Sequence, residues 1–126
     1  MGVSEALCRQ LARILGGKEQ HEDNQCTIMV KRNLNARILG RPYDTEHEIV
    51  IQSLKNGKTL NTGEITLLQR EVQFFVLRAV RLGLRVTAVH NHWLFDKPRL
   101  MYVHVESVQN PIRFARNLAS ILRSLK

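Results

Sequence analysis

Cysteine is scarce in this chain. Cys8 and Cys26 are too few for a disulfide framework and do not form a Cys-x-x-Cys pair, so both are expected to be reduced thiols packed as small apolar residues. No apolar run approaches the roughly 20 residues that cross a bilayer as a helix, so a membrane-spanning helix is excluded and no membrane partner is expected. Met1 to Arg9 lacks the basic start and apolar stretch of a secretory signal, and Ala6 stands where an N-myristoylation motif requires Ser or Thr. A cytoplasmic location is the expectation. There is no internal repeat and no low-complexity tract, which argues against solenoid and disordered classes.

What is present suits one hydrophobic core. With 126 residues and 44% apolar content, residues 1–126 are expected to form a single domain. Leu7, Leu11, Ile14 and Leu15 recur at helical spacing, which predicts an N-terminal helix over 4–15 with Ser4 as N-cap and Gly16-Gly17 as the stop. Residues 16–24 show no apolar period and read as a solvated linker into a sheet-and-helix core over 25–126.

In that core, Cys26–Lys31 and Glu48–Leu54 carry β-branched strand patterns, and the turn-forming residues from Asn33 to Thr45 read as an irregular loop. Asn56-Gly57 predicts a tight hairpin into a third strand, Lys58–Leu67, on which Thr62, Glu64 and Thr66 share a face. A helix is predicted over Gln69–Leu82, with Val72, Phe75, Val76, Ala79, Val80 and Leu82 on its apolar side. Strands follow at Arg85–His92 and Leu100–Ser107, and a last helix starts at Asn110-Pro111. The order αβββαββα predicts an α+β two-layer sandwich, an antiparallel sheet of about five strands with helices on one face.

His90 and His92 lie two apart on a strand and so project from one face. His104 occupies the next strand, and if it stands opposite His90 or His92 three imidazoles converge. Such a set can hold zinc or another divalent transition metal, with Glu64 or Asp96 as a further ligand. Two other readings stand beside this one. A neutral imidazole next to Glu64 can act as a general base, and histidines at strand ends are often only hydrogen-bonded structural residues.

The run Val86-Thr87-Ala88-Val89-His90-Asn91-His92, followed by Asp96-Lys97-Pro98-Arg99 and Tyr102-Val103-His104, resembles the signature of the LppY/LpqO-type domain of unknown function. A looser likeness runs back through Gly63-Glu64-Ile65-Thr66-Leu67 and covers roughly residues 24–126. The resemblance implies a shared site at Glu64, His90, Asn91, His92, Asp96, Arg99 and His104, with a bound metal as its form and no stated reaction. Trp93 belongs to its periphery, where it and Phe95 are expected to shield the histidines or fill the core beneath their loop. Relatives often carry two such units and an export signal. This chain has one unit, so a homodimer restoring the pair is expected, while a secreted role does not carry over. Leu68 stands where relatives place a helix-capping Thr.

A net charge of +8 raises a second class, a module that binds nucleic acid or another acidic partner, with the histidines structural. Its candidate contacts are Arg78, Arg81 and Arg85 along the central helix and Arg113, Arg116 and Arg123 along the last. No nucleic-acid motif accompanies them. Whether the protein is an enzyme stays open on the sequence. The concrete enzymatic form is hydrolysis by a metal-bound water held by His90, His92 and His104, with Glu64 as ligand or base.

Overall fold

Ser4 and Gly16 bracket the first helix, α1 (Glu5–Leu15), in the computed structural model, which describes residues 2–125. The Ser4 hydroxyl accepts from the Leu7 N–H at 3.0 Å, and Gly16 closes the helix in the left-handed conformation at φ 75°. The chain continues through β1 (Lys18–Glu22), β2 (Gln25–Lys31), β3 (Arg37–Ile38), β4 (Arg41–Pro42), β5 (Glu46–Ser53), β6 (Thr59–Leu68), α2 (Val72–Arg81), β7 (Arg85–Asn91), β8 (Asp96–Lys97), β9 (Leu100–Ser107) and α3 (Pro111–Arg123). Asn110 caps α3 by accepting from the Ile112 and Arg113 N–H groups, with Pro111 in the first turn.

The main sheet is antiparallel with strand order β1-β2-β5-β6-β9-β7. Alternate residues of its strands, among them Ile28, Ile49, Ile65, Leu67, Val103 and Val105, pack with Leu11, Phe75, Phe114 and Leu118 of the helices in one core. This is the expected α+β arrangement, with all three helices contributing to the core on one face of the sheet. Burial of each large side chain there contributes about 1.5–3 kcal/mol. The opposite face carries a smaller cluster of Ala36, Leu100 and Tyr102, flanked by Leu34 and Tyr43.

Several expectations are corrected. Residues 18–22 are a strand, not a linker: β1 pairs with β2 in register from Lys18↔Met29 to Glu22↔Gln25, turning through Asp23 at φ 52° and Asn24. The sheet therefore has six strands rather than about five. An edge strand held by backbone hydrogen bonds needs no apolar period, so polar Lys-Glu-Gln-His-Glu carries no signal. Asn33–Thr45 is not wholly irregular, because β4, β3 and β8 form a second, three-stranded sheet. The two cysteines are not free thiols: Cys8 and Cys26 form a disulfide that joins α1 to β2 inside the core.

The central helix starts later than its period predicts, with one 3-10 turn over Gln69–Glu71 before α2. Leu68 cannot cap this turn with its side chain. Glu71 replaces the missing hydroxyl, its carboxylate accepting from the Leu68 N–H at 2.8 Å. Val80, expected on the apolar side, is exposed together with Leu77, and Phe74 lies at the surface beneath the Arg78 guanidinium.

A bulge interrupts β7. Val86 pairs with Val105, but Ala88 pairs with His104, so Thr87 is an extra residue. Val105 faces the core, whereas His104 lies on the other face. The bulge therefore changes which side of the sheet the rest of β7 presents.

Candidate functional site

Glu64, His104 and Ala88 stand in one row across β6, β9 and β7, and Thr66, Tyr102 and His90 stand in the next. Because paired residues share a face, the carboxylate and both imidazoles emerge on the face away from the helices. The sequence suggested His104 directly opposite His90 or His92, but it stands diagonal to His90. Long side chains bridge that diagonal: the Nε2 atoms of His90 and His104 lie 2.9 Å apart.

The remaining distances close the cluster. Glu64 Oε2 lies 3.3 Å from His104 Nε2 and 3.7 Å from His92 Nε2. One ligand atom from each of Glu64, His90 and His92 falls within 4.8 Å of the others. His104 touches Glu64 and His90 without belonging to that mutual set. His90 Nδ1 lies 3.1 Å from the Asn91 carbonyl oxygen, a group that only accepts, so this contact needs Nδ1–H as its donor.

Aromatic rings form the floor and one wall. The Tyr102 ring centroid is 4.4 Å from that of His92 and 6.2 Å from that of His90. Burial, with Tyr43 close by, pushes the Tyr102 phenol up to about 12, so it stays protonated at neutral pH. Trp93 packs between His92 and Tyr43, at 5.3 and 5.7 Å between ring centroids. It stands beside the histidines, whereas Phe95 is 63% exposed and fills no core.

Asp96 and Arg99 hold the loop after β7. The Arg99 guanidinium donates to the Trp93 and Leu94 carbonyls, and Asp96 accepts from the Leu100 N–H at 2.8 Å while lying 3.1 Å from Arg99. The Asn91 amide donates to the Trp93 carbonyl at 3.1 Å. Asp96 is committed to this scaffold and is not in the ligand cluster. Sequence spacing did not single out Glu48, which pairs with Glu64 across β5 and β6 and adds a second carboxylate to the row. Its position in an alternating strand was the available signal.

The arginines do not form the stripe expected along the central helix. Arg85 lies on β7, where it pairs with Glu106 at 3.1 Å, and Arg78 covers Phe74. Arg81, Arg113, Arg116 and Arg123 are exposed.

Fold and site together define an α+β protein with a histidine-carboxylate cluster on the open face of its sheet. A family model described as Domain of Unknown Function (DUF1259) matches residues 9–124, and the chain belongs to that family. The match establishes a domain of unknown function and does not carry the narrower LppY/LpqO name expected from the motif. No curated protein and no solved structure matches the chain. No helix among the described residues is long and apolar enough to cross a membrane.

Proposed function

We propose that the domain binds a divalent first-row transition metal through Glu64, His90 and His92. The observation that carries this reading is the mutual approach of one carboxylate oxygen and two imidazole nitrogens. Two histidines and a carboxylate are the donor set of catalytic zinc and of non-haem iron centres, which leave coordination positions open. The side chains of His92, Glu64 and His104 are 42%, 31% and 34% exposed, so solvent or a ligand reaches those positions directly. His104, next to both Glu64 and His90, serves as a fourth ligand or as the proton-carrying group. Bound metal would act on water or a substrate as a Lewis acid, which makes metal-assisted hydrolysis the reaction class to test first.

The β7 bulge supports this reading, since bulges recur where a side chain must be re-aimed beside a site. The Cys8–Cys26 disulfide favours an oxidising compartment as the place of action, over the cytoplasm expected from the sequence.

Elemental analysis of untagged protein, reconstituted with zinc, iron, nickel and manganese in turn, tests the proposal. About one equivalent of a single metal is expected, falling below a tenth in a folded His90→Ala/His92→Ala protein. No stoichiometric metal under any of the four conditions would refute it.

A further inference from the structure

A second surface, independent of the metal reading, lies between the turn joining β3 to β4 and the loop after β7. We propose that it binds an amphipathic anion, an apolar chain or ring system carrying a carboxylate or phosphate head. The groove encloses about 630 Å³, within the range of small-molecule sites. Its apolar wall is Leu39, Leu94 and Phe95, which are 75%, 77% and 63% exposed. Three large apolar side chains projecting together from two loop tips form a patch of the kind that marks a binding surface.

The charges beside that wall are of one sign. Arg37 and Lys97 stand directly opposite each other across β3 and β8, and both line the groove. Like charges so placed repel, and among the described residues neither has an acidic partner within ion-pair distance. The one carboxylate lining the groove, Asp96, is buried and committed to Arg99 and the Leu100 N–H. An anion between Arg37 and Lys97 would relieve the repulsion, while its apolar body covers Leu39, Leu94 and Phe95.

Leu39 adds a separate observation. It is held at φ 49°, in the left-handed region that is unfavourable for a non-glycine residue. The Arg37 guanidinium donates to the Gly40 carbonyl and so fixes this turn. Strain that keeps a leucine in solvent is of the kind that clusters at ligand clamps.

Trp93, the chain's sole tryptophan, supplies the readout, because Arg99 ties its carbonyl to the groove's rim. The 126-residue chain in excess chelator, which separates this test from the metal reading, is titrated with sodium decanoate and with decyl phosphate below their micelle concentrations. Decanol is the neutral control, and sedimentation with vesicles of anionic phospholipid forms a second arm. A saturable fluorescence change is expected for the anions, with decanol at least about tenfold weaker. Lys97→Glu, alone or with Arg37→Gln, and Leu94→Ser/Phe95→Ser should each weaken the anions about tenfold while remaining folded by circular dichroism. Saturation by the free amphiphile identifies a soluble ligand, and sedimentation that the same variants abolish, without free-amphiphile binding, places the head in a bilayer. No saturable response in either arm, or a response matched by decanol and untouched by the variants, overturns the proposal.

Discussion

Arg32 and Glu71 meet in a bidentate pair at 2.8 and 2.6 Å, both largely buried, and the same carboxylate accepts from the Leu68 N–H. Burial pushes the Glu71 carboxyl up, but the Arg32 hydrogen bonds and the Leu68 N–H outweigh it and hold the group below its ordinary value. Glu71→Ala leaves a buried guanidinium and a turn without its cap, so a loss of about 3–5 kcal/mol is expected in urea unfolding. A loss under about 1 kcal/mol would show that the pair is dispensable. His47 is a separate case. Burial, then Arg32, lowers it to about 4, and its Nδ1 accepts from the Thr66 N–H as a neutral ring. Because its folded value lies below 6.5, the unfolded chain takes up more protons between those values. Stability is therefore full above about 6.5 and falls as the pH drops toward 4. A decrease of about 2 kcal/mol is expected between pH 7 and pH 5. His47→Asn, which can still accept from Thr66, should remove most of it, and an unchanged pH slope in that variant would contradict the assignment.

Among the elements, the disulfide links a helix to a strand 18 residues away in sequence, and closing a loop of that size stabilises by about 3 kcal/mol in the chain-entropy account. Cys8→Ser/Cys26→Ser is expected to fold with a reduced urea midpoint, and an unchanged midpoint would mean the bridge adds nothing to the tertiary core. Elements with apolar periodicity were legible in the sequence. Capped α1 and α3, the Asn56-Gly57 hairpin and the paired run Leu100–Ser107 all stand where pattern placed them, since burial imposes a period that residues must obey. Polar β1 and the two-residue strands β3, β4 and β8 were not legible, because backbone pairing alone leaves no such trace. Cys8 meets Cys26 only after the helix docks on the sheet. The site was partly legible in the same way: alternation placed His90 and His92 on one face of their strand and Glu64 on a face with Thr62 and Thr66, but the bulge that turns His90 to the open face and the diagonal seat of His104 depend on strand register, which spacing does not specify.

For the whole molecule, metal occupancy should appear as global stability. At free metal about 100 times Kd the folded state gains about 2.7 kcal/mol, so a raised Tm is expected for the wild-type chain but not for folded His90→Ala/His92→Ala. An equal rise in both proteins would assign the effect to other groups. Ligation requires unprotonated imidazoles, so the rise should shrink in acid. The extra residue at Thr87 acts as a phase shift of one half-period, dividing a seven-residue strand into two mutational regimes. Before it, changes at Val86 register as unfolding; after it, changes at Ala88 and His90 register at the open face with the core intact. Deleting Thr87 would restore a single phase with Val86 toward the helices and His90 still on the open face, so a change in residue count, with Glu64, His90, His92 and His104 all retained, would preserve the cluster.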